Sequence, residues 1–183
     1  IGGTGFCYLE LIKCLSNDQP CYVIQDPSIY ANKVLFKDIP EMAAFYNEII
    51  LEKFKNVEYL VLGGSSFGGM LSLEMVKQLE ERKLDQKIAF VVALDTWIVS
   101  DVLDWEIKET LRVNMLQRYD QVIETLKKQG IDPKPWMELN YSRLQHLGFS
   151  YQPGKIAKKI ILYKAEDELH EFSAMHENSN YLK

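Results

Sequence analysis

A mostly parallel α/β sheet with helices on both faces is the fold class this sequence predicts, and three observations carry it. The runs Tyr59-Leu60-Val61-Leu62 and Lys87-Ile-Ala-Phe-Val-Val-Ala-Leu94 are apolar without alternation, as strands covered on both sides are. Between them lies a helical pattern with Leu71, Met75, Val76 and Leu79 on one face. Strands alternating with helices imply right-handed crossovers, and active groups then gather at the carboxyl ends of the strands.

Taken in order, Gly2-Gly3-Thr4-Gly5 opens a helix-like stretch from Phe6 to Leu15, with its period carried by Phe6, Leu9, Leu11, Ile12 and Leu15. A phosphate-binding loop is the rival reading of these glycines, but the P-loop lysine is absent and no strand precedes them within these 183 residues. Asn17-Asp18-Gln19-Pro20 reads as a turn and Cys21-Tyr-Val-Ile-Gln25 as a strand ended by Asp26-Pro27-Ser28. The segment to Lys37 reads as a loop, and Ile39 to Phe54 as a helix whose apolar face is Met42, Phe45, Tyr46, Ile49, Ile50 and Phe54.

From about Trp97 to Pro153 the pattern is helical without a strand: Asp104 to Arg118, then Tyr119 to Gln129 ended by Gly130, with Pro133 and Pro135 breaking the pattern beyond it. An insertion of this size between two strands reads as a lid. Its aromatic and apolar residues either line a channel or pack the lid on the body. Lys158 to Ala165 returns to a strand. One domain is expected over 1–183, with its core at 1–96 and 154–183 and a lid at about 97–153.

At 183 residues, 47% apolar and 26% charged, the chain suits one globular domain with a sizeable core. No run approaches the ~20 apolar residues of a membrane span, and no signal-peptide layout is present. A net charge of −5 argues against nucleic acid or an anionic membrane as partner, since both need a basic footprint. Cys7, Cys14 and Cys21 recur every seventh position, which invites a metal or disulfide reading. There is no C-x-x-C, and they read instead as small buried hydrophobes whose reduced state suits the cytoplasm. Ile1 has no preceding methionine and Gly2-Gly3 falls inside a motif, so the sequence reads as part of a longer protein, truncated at both ends.

The chemistry concentrates in Gly64-Ser65-Ser66-Phe67-Gly68, a match to Gly-x-Ser-x-Gly, the nucleophile elbow of α/β-hydrolases. A serine at so sharp a strand-to-helix turn takes a strained backbone conformation, and glycines at 64 and 68 avoid collisions with neighbouring backbone. The helix after it points its unpaired amides and positive dipole end at Ser66, which makes the Phe67 N–H an oxyanion donor. The alternative, a glycine turn with an ordinary hydroxyl, is disfavoured by the strand before the motif and the helix after it.

The extended form Gly64-Ser-Ser66-Phe-Gly68-Gly69, with Met70-Leu-Ser-Leu-Glu74-Met75 and Gln78-Leu79-Glu80 after it, resembles the thioesterase domains of nonribosomal peptide and polyketide synthetases. Animal fatty-acid synthase thioesterases are near relatives. The resemblance runs through nearly the whole chain: Ile1-Gly2-Gly3, Ile39-Pro-Glu-Met42-Ala43-Ala-Phe-Tyr46, Val92-Ala-Leu94-Asp95 and Leu162-Tyr163-Lys164-Ala165-Glu166-Asp167 all match family segments. It departs at Ser65, where the family often carries an aromatic residue or histidine. The resemblance implies an α/β-hydrolase fold with a helical lid and a second oxyanion amide at Ile1. It also implies an acyl, peptidyl or polyketide chain delivered on the phosphopantetheine of a carrier protein domain, with hydrolysis or cyclisation through an acyl-Ser66 and no metal or redox cofactor.

Serine needs a histidine to take its proton and an acid to orient that histidine, in the chain order Ser, acid, His. Asp95, on the adjacent strand end, is the acid the resemblance implies. Asp167 at the next strand end is the alternative, but Glu166 and Glu168 beside it suggest a solvated acidic loop. His146, His170 and His176 read as surface residues, and the base is expected after Lys183, so that the covered sequence lacks it. Two further readings remain at this point. One is a free-standing editing thioesterase or carboxylesterase, and the other a domain that docks carriers without catalysis.

Overall fold

The computed structural model describes residues 5–31, 33–96, 151 and 154–164, with scattered positions between 113 and 137. Among these residues the frame is a three-stranded parallel sheet in the order β1-β2-β3, formed by β1 (Leu60–Ser65), β2 (Ile88–Leu94) and β3 (Ile160–Tyr163). Before the sheet come a 3₁₀ turn at Phe6–Tyr8, α1 (Leu9–Lys13), α2 (Ser28–Ala31) and α3 (Ile39–Lys53). The crossover from β1 to β2 is α4 (Phe67–Glu81).

The helix that prepares the core begins with its own stop-start chemistry. Asp38 is the N-cap of α3, accepting the Glu41 N–H at 2.8 Å, while the Glu41 carboxylate reaches back to the Lys37 N–H at 2.7 Å. Pro40 in the first turn gives up an amide that would have no intrahelical partner there anyway. Met42, Ala43, Tyr46 and Ile50 of α3 then meet Leu73, Met75, Val76 and Leu79 of α4 and Ile88 and Val91 of β2 in one buried cluster. Burial of this apolar surface at about 25 cal/mol per Å² is what holds α3 and α4 against the sheet. The exposed ion pair of Arg82 with Glu48, at 2.7 Å, adds little to it.

Several sequence expectations need correction. The stretch from Phe6 to Leu15 is not one helix but a 3₁₀ turn followed by a five-residue α1, and Leu9, Leu11 and Leu15 are exposed. Cys21 to Gln25 takes no regular secondary structure and pairs in no ladder among the described residues, and Tyr22, Val23 and Ile24 are exposed. An apolar run specifies an extended chain; a strand also requires a neighbour for its amides, which local pattern does not report. The loop before Lys37 holds α2, started by buried Asp26, whose Oδ1 accepts the Ser28 N–H at 2.7 Å. On α3, Phe45 and Ile49 lie outside the buried face. Phe45 is instead in ring contact with Phe36, at 5.3 Å between centroids. The three cysteines are exposed rather than buried, and none is in a disulfide.

Of the expected lid helices, Asp104 to Arg118 lies almost wholly outside the described residues. Residues 123–128 of the second are helical, and Gly130, at φ 72°, donates its N–H to the Lys127 carbonyl at 3.0 Å. No described helix is long and apolar enough to cross a membrane.

The chain's return to the sheet is fastened to α4 by acids on that helix. Buried Tyr151 donates its hydroxyl to Glu74 Oε2 at 2.5 Å, and the same buried carboxylate takes Gln78 Nε2 at 2.9 Å and Lys77 Nζ at 3.1 Å. Further on, the Glu80 carboxylate accepts the N–H groups of Ala157, at 2.9 Å, and Lys158, at 2.8 Å, just before β3 starts. Burial first, and the Glu74 carboxylate next, push the Tyr151 phenol above its ordinary 10.0. A folded-state value above the unfolded one means that this contribution is full below pH 10.0 and fades as pH rises beyond it. Tyr151→Phe is expected to cost about 1–3 kcal/mol in urea unfolding at neutral pH. The gap to the parent protein should narrow in titrations above pH 10.0.

Candidate active site

The corner between β1 and α4 follows from what its backbone atoms permit. A Cβ on Gly64 would lie 2.3 Å from the carbonyl carbon of Gly68, so the strand passes directly under the first turn of the helix. Between these two glycines the chain must reverse within three residues, and Ser66 takes φ 51°, ψ −115° to do it. Holding a serine there costs on the order of 1–3 kcal/mol.

That conformation also decides what the hydroxyl does. A serine at a helix N-cap ordinarily turns its oxygen onto an amide of the first turn. Ser66 makes no such side-chain bond; the Gly69 and Met70 N–H groups go to its backbone carbonyl, at 3.0 and 3.3 Å. Its Oγ is therefore not used to cap α4. Phe67, half-buried, is the first residue of this 15-residue helix, where an N–H has no intrahelical acceptor and the dipole is positive.

The neighbouring strand brings Asp95 to the same level. Ser65 pairs with Leu94 at the end of the ladder, and the Ser66 N–H donates to the Leu94 carbonyl at 2.8 Å. The next residue, half-buried Asp95, donates its N–H to the Tyr163 carbonyl of β3 at 2.7 Å. Ser66 and Asp95 thus leave adjacent parallel strands side by side at the carboxyl edge. Both have left-handed φ, 51° and 45°. Lys83, at φ 56°, shares that conformation but lies just after the C-cap of α4, a common place for it.

Two contributors were not anticipated from the sequence. A Cβ on Gly69 would fall 1.8 Å from Thr96 Oγ1, so the second glycine of the pair lets the buried Thr96, just past Asp95, close onto the helix. The doubled Gly68-Gly69 was the available signal, because the elbow motif requires the first alone. The other is Tyr8, whose phenol oxygen accepts the Ser65 N–H at 2.8 Å. Burial, above all, pushes the phenol above its ordinary 10.0 and keeps it protonated. Gly64, Ser66, Phe67, Gly68 and Asp95 are therefore brought to one corner. Ile1, Asp167, His146, His170 and His176 lie outside the described residues. Among the described residues no group of three His, Cys, Asp or Glu is placed to hold a metal ion.

With this geometry in view, the model of the thioesterase domain family matches residues 1–147. The chain belongs to that family. This thioesterase domain is 26% identical over 172 residues, 92% of its length, to CymA of Salinispora arenicola, described as a nonribosomal peptide synthetase. It is 27% identical over 128 residues, 70% of its length, to the polyketide synthase PksR of Bacillus subtilis. It spans 2% of the first relative and 5% of the second. Among solved structures, the NocB thioesterase domain in covalent complex with a fluorophosphonate nocardicin G analog is 22% identical, with a TM-score of 0.65. That match covers 91% of this chain and 70% of the NocB chain, and it shows a shared α/β-hydrolase fold.

The strain at Ser66 and the close approach at Gly69 have opposite consequences for stability. Ser66→Gly is expected to raise the urea midpoint of this thioesterase domain, equivalent to about 1 kcal/mol, because glycine takes positive φ freely. Gly69→Ala should lower it by about 1–3 kcal/mol through overpacking against Thr96.

Proposed function

We propose that this protein is a serine thioesterase that releases an acyl, peptidyl or polyketide chain from the phosphopantetheine arm of a carrier domain. The observation that carries this reading is the Ser66 hydroxyl. It sits at a strained corner at the head of a 15-residue helix, unused as a cap, one strand away from Asp95. Family membership supplies the thioester, and the resemblance to synthetases supports a carrier domain in the same longer chain.

In the proposed cycle Ser66 Oγ attacks the thioester carbonyl as an imidazole takes its proton. The Phe67 N–H, with a second amide assigned to Ile1, holds the oxyanion. Collapse breaks the C–S bond, the thiol leaves with the proton, and an acyl-Ser66 ester remains. Water, or a nucleophile within the bound chain, then attacks that ester and regenerates the hydroxyl, giving an acid in the first case and a ring in the second. Asp95 orients the imidazole, which belongs to a histidine outside the described residues. No metal or redox cofactor takes part in these steps.

The test is fluorophosphonate labelling together with turnover of an N-acetylcysteamine acyl thioester in the full-length protein. Ser66→Ala should abolish the adduct and lower turnover by roughly 10³-fold or more, and Asp95→Asn by roughly 10²- to 10⁴-fold. An unlabelled Ser66 in the intact protein would instead favour a domain that docks carriers without cleaving them. Turnover that survives Ser66→Ala would remove the nucleophile assignment.

A further inference from the structure

The elbow has two sides, and the pairing with β2 accounts for one of them. Ser66 donates its N–H to Leu94 of β2; the amide before it, on Ser65, points from the opposite edge of β1, because successive amides of a strand face opposite neighbours. Among the described residues β1 is the last strand on that side. The acceptor found there is the phenol oxygen of Tyr8, 57 residues earlier in the chain, at 2.8 Å.

The same oxygen touches the helix side of the corner. A Cβ on Gly68 would come within 3.1 Å of it, tighter than such contacts ordinarily are, and among the described residues would meet no other atom outside its own helix within 4 Å. Tyr8 therefore spans the corner, with Ser65 before the nucleophile on one hand and Gly68 after it on the other.

We propose that Tyr8 is a positioning residue for Ser66: its phenol oxygen holds the Ser65 amide and so keeps the strand-to-helix corner in the strained conformation that leaves the hydroxyl unused as a cap. Gly68 is glycine partly to admit that oxygen. This rests on the reading of Ser66 as the nucleophile. Without the phenol, the Ser65 N–H loses its acceptor, and the corner is free to relax by rotations that move Oγ away from the attacking position. Small displacements of a reacting atom are costly to rate while leaving substrate contacts elsewhere intact.

The experiment compares Tyr8→Phe, Gly68→Ala and the double variant in the full-length protein. Its readouts are the rate of fluorophosphonate labelling, steady-state turnover of an N-acetylcysteamine thioester, and hydrogen exchange in peptides covering β1 and the start of α4. Tyr8→Phe keeps the ring and removes the oxygen. It is expected to slow labelling and kcat by roughly 10-fold with KM little changed, and to speed exchange at Ser65. Gly68→Ala should slow labelling similarly by pushing the oxygen away, and the double variant should be no worse than either, since both act through one contact.

Wild-type labelling, kcat and exchange in Tyr8→Phe would overturn the proposal, as would single effects that multiply in the double variant. Should Gly68→Ala fail to fold, Tyr8→Phe alone decides through its kcat-against-KM split. Ser66→Ala separates the two readings. If it still labels, the nucleophile assignment falls and this one with it. If it does not label while Tyr8→Phe labels at the wild-type rate, this proposal alone is overturned.

Discussion

The closest backbone approach at the site is that of Gly64 under Gly68, and the arrangement around Ser66 depends on it. With 2.3 Å between a hypothetical Cβ and the facing carbonyl carbon, no other residue type fits at position 64 unless the helix lifts from the strand. If it lifted, Ser66 would lose both the reason for its positive φ and its place beside Asp95. The strain at Ser66 is tolerated because each end of the corner is held independently. The Ser65 N–H is tied to the Tyr8 phenol and the Ser66 N–H to the Leu94 carbonyl, and Met75, Val76 and Leu79 bury α4 in the core.

The same helix organises the far side of the molecule. Its N-terminus forms the corner, its apolar stripe fills the core, and its acids Glu74 and Glu80 receive the chain as it comes back toward β3. A buried glutamate is costly unless its oxygens are matched. Here Tyr151, Gln78 and Lys77 supply the match, so the cost of burying the charge becomes a requirement that residue 151 sit at one point on α4. The C-terminal end of the inserted segment is thereby registered against the element that carries Ser66.

What was readable beforehand depended on how local the cause was. β1, β2 and α4 are specified by continuous apolar runs and a helical stripe; β2 forms within a residue of its expected bounds, while β1 runs three residues past the Leu62 that ends its apolar run. Asp38 and Glu41 announce the start of α3 by side-chain chemistry confined to one turn. Cys21 to Gln25 has the same apolar character as a strand and is not one, because pairing is a property of two segments. The cysteines failed in another way: their residue type favours burial on average, but Cys7 in the 3₁₀ turn, Cys14 at the C-cap of α1 and Cys21 beyond it are all exposed. Nothing within reach of Glu74 along the chain foretold its partner, a tyrosine 77 residues later.

The order of residues alone was enough to specify the elbow, its flanking glycines and the parallel α/β frame. These follow from sterics and periodicity acting over a few neighbouring positions. The tertiary arrangement was needed to bring Asp95 level with Ser66 at one sheet edge, to close Thr96 onto Gly69, and to turn Tyr8 and Tyr151 toward partners 57 and 77 residues away. Those contacts are set by strand register and by which helix lies over which strand. Such quantities exist only once distant segments share a core, since no local preference encodes the meeting of two points far apart along a flexible chain.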